Sequence, residues 1–139
     1  MAYLFDTDAI SEVLKKKPAA AYLHWLRGIP REDQFTSAVV VGELYKGAFR
    51  SPDVGHHLDN IENHLLPALT VLPYEIAAAR VYGQIRAHLE QAGRSLADAD
   101  LQIAATALLH DLELVTGNVR HFSRVPGLRI SDALSATRP

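Results

Sequence analysis

Short apolar segments alternate along this chain with longer segments in which apolar residues recur at helical spacing. The short segments are expected to form strands, at residues 2–5, 34–37, 70–72, 114–116 and 128–130. A chain that alternates strands with helices normally builds a mostly parallel sheet that helices cover. The pattern therefore predicts an α/β fold in three layers, with a short, mostly parallel sheet and helices on both faces.

The segments between the predicted strands carry apolar residues three and four positions apart, which is the spacing of one helical face. Helices are predicted over residues 9–14, 18–27, 38–49, 51–67, 75–91 and 98–110, with one further turn at 119–123. The expected caps are Asp8, Ser37 or Thr36, and Asp98. The expected inward residues are Ile10, Val13 and Leu14 in the first helix, Val41, Leu44, Tyr45 and Ala48 in the third, and Ala78, Val81, Tyr82, Ile85 and Leu89 in the fifth.

The composition narrows the possible classes of protein. At 139 residues the chain is expected to form a single domain, residues 1–139. It contains no cysteine, which excludes disulfides and thiolate zinc sites. No apolar stretch reaches the roughly 20 residues that span a bilayer, and the N-terminus lacks the features of a signal peptide. We therefore expect a cytoplasmic protein that has no membrane association.

The formal net charge of −2 argues against a protein that binds nucleic acid simply by neutralising phosphates. It does not argue against a nuclease, because a carboxylate cluster adds negative charge that bound metal ions reverse locally. The lysines at 15–17 are interpreted as a solvated helix end rather than an RNA-binding patch. Arg86, Arg120 and Arg124 are weaker candidates for contacts with phosphates.

Four polar residues stand at strand ends or inside otherwise apolar helices: Asp6, Glu43, Asp100 and Asn118. Ligands of open α/β sheets bind outside the carboxyl ends of the strands, where Asp6 and Asn118 are expected. Charged groups within apolar segments cost free energy unless something pairs with them, and converging carboxylates repel each other unless a cation lies between them. Because Mg²⁺ and Mn²⁺ prefer oxygen ligands, these residues predict a site for a hard divalent metal.

Each of these residues also has an ordinary structural interpretation. Asp6 could begin a turn, and Asn118 is of the type that commonly occupies turns after strands. Glu43 could be a solvated side chain paired with Lys46. Asp100 could complement the helix dipole, although it shares a helical face with three apolar residues, Ile103, Ala104 and Ala107. That shared face predicts that Asp100 points toward the interior.

Two further aspartates lie close to these candidates. Asp8 forms an Asp-x-Asp pair with Asp6, and its expected role as a helix cap competes with a contact to the site through water. Asp98 would lie about 200° around the helix from Asp100, so the two cannot share a face and Asp98 is the better cap. The seven histidines form no zinc-binding pair and are interpreted as scattered surface residues.

Four segments together carry a resemblance to a known family. They are Leu4-Phe5-Asp6-Thr7-Asp8-Ala9-Ile10-Ser11, Ser37-Ala38-Val39-Val40-Val41-Gly42-Glu43-Leu44, Asp100-Leu101-Gln102-Ile103-Ala104-Ala105-Thr106-Ala107 and Val115-Thr116-Gly117-Asn118-Val119-Arg120-His121-Phe122. In this order and spacing they resemble the PIN-domain family, and more narrowly its VapC-type toxins. The resemblance implies a magnesium- or manganese-dependent ribonuclease that cleaves structured RNA such as tRNA or rRNA. It also implies a cognate antitoxin and a homodimer.

By that resemblance Asp6, Glu43 and Asp100 match the core acidic positions and would hold the metal. Asn118 matches a fourth position, which is Asp in many relatives and Asn in others, so occupancy of a second metal is open. Thr7 and Thr116 are candidates to hydrogen-bond the carboxylates, and Asp8 and Asp98 are candidates to support the site without binding the metal directly. Gly117 and His121 replace the Arg and Asp often found there.

The resemblance also implies a surface for the antitoxin. An apolar groove is expected near Tyr45, Phe49 and the helix that contains Trp25.

Two other functions remain open at this stage. A haloacid-dehalogenase-like phosphatase would use Asp6 of the Asp-x-Asp pair as a covalent nucleophile, but the later Gly-Asp-x-x-x-Asp motif of that class is absent from the sequence. A non-catalytic binding module with this fold is the third possibility.

Overall fold

A single parallel sheet forms the centre of the fold, which a computed structural model describes for residues 1–137. Its strands are β1 (Tyr3–Phe5), β2 (Gln34–Ser37), β3 (Thr70–Leu72), β4 (Glu113–Val115) and β5 (Ile130–Ser131). The strand order is β3-β2-β1-β4-β5, and all four described ladders are parallel. The predicted α/β architecture, with helices covering a parallel sheet, is confirmed.

The connections between the strands are helical. The α-helices are α1 (Thr7–Leu14), α2 (Ala20–Arg27), α3 (Ala38–Arg50), α4 (Val54–Asp59), α5 (Ile76–Gln91), α6 (Asp98–Leu109) and α7 (Val119–Phe122). Gly93 lies two residues beyond the end of α5 and has the positive φ of 70° that glycine tolerates best. Among the described helices, none combines the length and apolar character needed to cross a membrane.

The core is densest around β1, β4 and α6. Leu4 of β1 and Leu114 of β4 are completely buried. In α6, six residues are buried on every side of the helix: Leu101, Ile103, Ala104, Ala105, Thr106 and Ala107. A helix that is apolar all round belongs in the interior, so α6 is fixed firmly and the position of its first turn, which carries Asp100, is fixed with it.

Two predicted caps are wrong by one or two residues. Asp6, and not Asp8, caps α1: its backbone is extended and its side chain accepts a hydrogen bond from the Thr7 N–H. Asp8 lies inside the first turn. In α6 the cap position is Ala97, which makes no side-chain bond, and Asp98 is the first helical residue. Tertiary hydrogen bonds of Asp8 and Asp98, described below, account for both shifts. The predicted cap Ser37 is confirmed, with Oγ accepting from the Val40 N–H at 3.1 Å.

The segment predicted as one helix over residues 51–67 changes its winding twice. After α4, residues Asn60–Leu65 form a π-helical turn and residues Leu66–Ala68 form a 3₁₀ turn. Pro67 lies in this last turn, where the missing N–H of proline prevents a regular α-helix from continuing. Ile61 and Leu65 nevertheless point into the core.

The inward faces of α1 and α3 differ from the expected stripes. In α1 Glu12 is buried, whereas Val13, which was expected to be inward, is 37% exposed. In α3 the buried line is Val40, Leu44 and Ala48, while Val41 and Tyr45 are half-buried. Val40, Leu44 and Ala48 follow one another at intervals of four positions, so the packed face of α3 is rotated slightly from the predicted one.

The last two strands are also displaced. β4 covers Glu113–Val115 rather than residues 114–116, and the hydroxyl of the next residue, Thr116, donates to Asp6 in the site described below. β5 covers Ile130–Ser131 rather than residues 128–130 and pairs with Leu114 and Val115.

Removing the cap of α3 should destabilise the protein. Ser37 is 1% exposed, so after Ser37→Ala the Val40 N–H loses its acceptor in a place that water does not reach. We expect the free energy of unfolding, measured by urea denaturation, to fall by about 1 kcal/mol. The matched control is Ser51→Ala, whose hydroxyl accepts from Asp53 at an exposed turn. An equal loss in both variants would contradict this role of Ser37.

Candidate active site

The candidate residues gather where the direction of strand addition reverses. From β1 the chain adds β2 and β3 on one side of the sheet, and later β4 and β5 on the other. Ligands of open α/β sheets bind at such a point, outside the carboxyl ends of the strands. Asp6 directly follows β1, and Thr116, Gly117 and Asn118 directly follow β4. The neighbouring ends are joined by the hydrogen bond from the Asp6 N–H to the Val115 carbonyl, 3.0 Å.

Asp6 is held from two sides and is 5% exposed. Its Oδ1 accepts from the Thr7 N–H at 2.8 Å, and its Oδ2 accepts from the Thr116 hydroxyl at 2.8 Å. Burial raises the pKa of Asp6 from 3.8 to about 6. The two hydrogen bonds oppose this increase, whereas the negative charges of Asp8 and Asp100 add to it. The protein therefore keeps a carboxylate where its negative charge is unfavourable, which is the condition that a bound cation relieves.

Asp8 ties α1 to the loop that follows β4. Its Oδ2 accepts from the Gly117 N–H at 2.9 Å, and the next residue, Asn118, donates its N–H to Thr116 Oγ1 at 3.1 Å. Asp8 therefore binds the loop after β4 and does not cap α1. It fixes the backbone that presents Asn118.

Glu43 reaches the same place from α3. Its Oε1 accepts from the Thr7 hydroxyl at 2.7 Å, across 36 residues of sequence. The hydrogen bond that the structure describes for Glu43 is therefore with the site and not with Lys46. Thr7 contributes both its backbone and its side chain, so one residue orients Asp6 and Glu43 together.

Asp100 approaches from the first turn of α6, and its side chain is 28% exposed. Its Oδ2 lies 3.0 Å from Nε2 of His121, which belongs to α7. The sequence analysis missed this contact because it placed His121 with the surface histidines. The available signal was its place one helical turn after Asn118, on the short helix that begins at the end of β4.

These side chains line one cleft of about 350 Å³. The lining residues are Asp6, Thr7, Asp8, Ser11, Glu12, Lys15, Glu43, Asp100 and Asn118. The structure thus brings together all four principal candidates, together with Thr7 and Asp8. Thr116 stands behind Asp6. Ser11, Glu12 and Lys15 are additional residues that the sequence analysis did not select.

Asp98 lies apart from this cleft. Its exposed carboxylate accepts from the Tyr82 hydroxyl at 2.7 Å and pairs with Arg86, and these two partners lower its pKa. Arg86 also donates to the Leu96 carbonyl, so both residues act in joining α5 to the start of α6. Arg120 and Arg124 line a separate hollow beside Asn118 and His121.

The donor set suits a hard divalent cation. The cleft offers carboxylate oxygens and one amide, the ligand types that Mg²⁺ and Mn²⁺ prefer. Among the described residues, no group of three or more His, Cys, Asp or Glu side chains lies close enough together to hold a metal ion as the side chains stand. The fit therefore rests on the chemistry of the donors: Mg²⁺ is usually held by one or two carboxylates and retains several waters.

The sequence matches a known family and curated relatives over nearly its whole length. The family described as PIN domain matches residues 3–128. The chain is 34% identical over 126 residues to Toxin FitB of Neisseria gonorrhoeae, covering 86% of this chain and 89% of FitB. It is 35% identical over 132 residues to the tRNA(fMet)-specific endonuclease VapC of Shigella flexneri, covering 95% of this chain and 98% of that protein.

Solved structures agree with the sequence matches. FitAcB from Neisseria gonorrhoeae superposes with a TM-score of 0.86 at 30% identity, covering 94% of this chain and 97% of that one. DNA-bound VapBC from Salmonella typhimurium also gives 0.86, at 31% identity, with 94% and 97% covered. VapBC-5 from Mycobacterium tuberculosis, of the VapBC family of toxin-antitoxin systems, gives 0.68 at 25% identity, with 94% and 95% covered.

The family match includes the Asp-x-Asp segment, so nothing remains that favours a haloacid-dehalogenase-like fold. Sheet topology, cleft position and the matched relatives all lead to the same assignment. The chain belongs to the PIN-domain family, among its VapC-type members.

Proposed function

We propose that this protein is a metal-dependent endoribonuclease toxin that cleaves structured RNA, either tRNA or rRNA, and that a cognate antitoxin neutralises. The observation that carries the proposal is the convergence of Asp6, Glu43 and Asp100, from three separate elements, on one cleft at the ends of β1 and β4. Relatives named as a toxin and as a tRNA-specific endonuclease support the reaction class.

Each of the three carboxylates has a role as a ligand of Mg²⁺ or Mn²⁺, and each is oriented by a neighbour. Thr116 holds Asp6, and Thr7 holds both Asp6 and Glu43. His121 contacts Asp100. A bound metal supplies a Lewis acid for the phosphodiester and lowers the pKa of a coordinated water. Preorganised carboxylates avoid the cost of reorienting charged side chains when substrate arrives.

Asn118 would act on the substrate rather than on charge balance. It lies at the opening of the cleft and its amide N–H₂ can donate to a phosphate oxygen, which a carboxylate in its place could not do. Its backbone is fixed by the Asp8–Gly117 and Thr116–Asn118 hydrogen bonds.

The antitoxin would dock in an apolar groove of about 330 Å³ between α1, α2 and the π-helical turn. Val13 lines this groove and shares a face of α1 with Ala9 and Ile10, which lie four and three positions before it. Both of these neighbours are buried. Val13 is nevertheless 37% exposed, because nothing in the described chain covers this end of the face. An apolar segment of a partner would complete the core there.

The groove differs in part from the expected one. Trp25 is engaged within the chain, 5.2 Å from the ring of Tyr3 and 5.9 Å from that of Tyr22. Tyr45 and Phe49 stack on each other at the surface of α3, and Phe49 is 64% exposed. They remain candidates for a second contact with the antitoxin.

A homodimer in the cytoplasm belongs to the same proposal, on the basis of the family resemblance.

Cleavage should require the metal and Asp100. Antitoxin-free protein incubated with purified total tRNA and rRNA should give discrete fragments with Mn²⁺ and none with EDTA. Asp100→Asn should slow cleavage at least about a hundredfold, because a charged ligand is lost where transition-state charge develops. The matched control is Asp98→Asn, on the same helical turn but outside the cleft, and it should retain activity. Full activity of a folded Asp100→Asn protein would exclude the proposed metal site.

The buried charge of Asp6 should make the metal-free protein less stable as the pH rises. The folded state holds the proton up to about pH 6 and the unfolded state releases it near 3.8, so stability falls across that interval. The shift corresponds to about 3 kcal/mol. In Asp6→Asn this fall should disappear, as measured by urea unfolding in EDTA between pH 4 and pH 7. Parallel pH profiles for the two proteins would contradict it.

A charge placed in the groove should release the toxin from its antitoxin. Val13→Glu should weaken binding of the cognate antitoxin at least about tenfold, because the carboxylate would be buried against an apolar partner. RNA cleavage by the free protein should persist. Ile76→Glu is the matched control, since Ile76 is apolar, 89% exposed and placed on α5. Calorimetric titration that gives the same affinity for both variants would show that the antitoxin binds elsewhere.

A further inference from the structure

An ion pair between a buried glutamate and an exposed lysine lines the acidic cleft. Glu12, in α1, is 5% exposed; its Oε1 accepts from Lys15 Nζ at 2.9 Å and its Oε2 accepts from the Ala19 N–H at 3.0 Å. Both Glu12 and Lys15 line the cleft that holds Asp6, Glu43 and Asp100. The lysine run lies at the exposed end of α1, as expected, with Lys15 at the C-cap, and Lys15 in addition pairs with Glu12.

The environment of Lys15 differs from that of its neighbours in sequence. A nearly buried glutamate is uncommon, and this one is anchored by a backbone N–H immediately before α2, so it offers Lys15 a fixed partner. The Lys15 side chain remains 58% exposed, and an ammonium has three donors, of which the described bond to Glu12 uses one. Lys15 is thus positioned and still accessible to a ligand, whereas Lys16 and Lys17 are simply exposed.

Stability alone does not explain the pair. An ion pair three residues apart in which the lysine is half-exposed contributes little to folding. The electrostatics of the cleft suggest a better reason. Its lining contains the carboxylates of Asp6, Asp8, Glu43 and Asp100, which repel a polyanion, and Lys15 is the one Lys or Arg among the described residues that line it.

We propose that Lys15, positioned by Glu12, binds a phosphate of the RNA strand beside the phosphodiester that is cleaved. The inference rests on the proposed ribonuclease function and names a substrate-binding residue for it. Lys15 would attract the strand to a cleft that is otherwise anionic and would fix its register on the α1 side. Glu12 would act only through Lys15, as a positioning residue.

The test measures binding separately from cleavage. The Asp100→Asn protein, in which cleavage is expected to be strongly slowed, is titrated in Mg²⁺ with fluorescein-labelled total tRNA and, separately, with labelled rRNA, and anisotropy gives the dissociation constant at several salt concentrations. Adding Lys15→Met should weaken binding about tenfold and reduce the slope of log affinity against log salt by about 0.7 to 0.9, which corresponds to one phosphate contact. Lys16→Met, one position along the same run, should leave the dissociation constant within about twofold and the salt slope unchanged.

Glu12 is tested by a double-mutant cycle in the same background. If Glu12 acts through Lys15, Glu12→Gln alone should weaken binding, and Glu12→Gln combined with Lys15→Met should bind as Lys15→Met does. Lys15→Met alone leaves the buried Glu12 carboxylate without its cation, and the combined variant removes that charge as well. The test therefore remains valid if Lys15→Met folds poorly. Circular dichroism confirms folding of each protein.

The outcomes separate the two levels of the proposal. Equal binding by the Lys15→Met and Lys16→Met proteins, with unchanged salt slopes, would overturn the role of Lys15 and leave the ribonuclease proposal standing. Absence of tRNA and rRNA binding by the parent protein would overturn both. Additive effects of Glu12→Gln and Lys15→Met would show that Glu12 does not act through Lys15.

Discussion

The hydrogen bond from the Thr116 hydroxyl to the Asp6 carboxylate joins the ends of the two central strands, and the site is arranged around it. Asp6 follows β1, and Thr116 follows β4, two strands that are distant in sequence but adjacent in the sheet. The bond orients a carboxylate that burial would otherwise disfavour. The buried charge of Asp6 lies at the carboxyl ends of the parallel strands. Open α/β sheets bind their ligands at this place.

The first turn of α1 connects this bond to the rest of the cleft. Three consecutive residues reach two other parts of the chain: Asp6 and Asp8 contact Thr116 and the Gly117 backbone in the loop after β4, and Thr7 contacts Glu43 of α3. α6, which is packed on all sides, brings in Asp100 from a fourth direction. A local helix start therefore determines the relative positions of groups that lie up to 110 residues apart in the chain.

The sequence predicted the architecture and the meeting of the principal acidic residues in one place, and the reasons are local. Short apolar strands, the cap at Ser37 and the stripe of α5 are all encoded within a few residues. The errors arise where a distant partner decides. Asp8 was expected to cap α1, but its partner is the Gly117 N–H, and Glu12, which no sequence pattern singled out, is buried where it accepts from Lys15 and from the Ala19 N–H. The contact of His121 with Asp100 is likewise tertiary, and the position of His121 one helical turn after Asn118 is the one local signal for it.

The mutual repulsion among the cleft carboxylates would be relieved by a bound divalent cation, as we propose. Calorimetric titration of Mn²⁺ into EDTA-treated and dialysed protein measures this binding. We expect saturable binding that Glu43→Gln weakens at least about tenfold, while Glu62→Gln, a change on an exposed glutamate outside the cleft, leaves it unchanged. Mn²⁺ binding of equal strength in both variants, or no binding to the parent protein, would contradict this proposal.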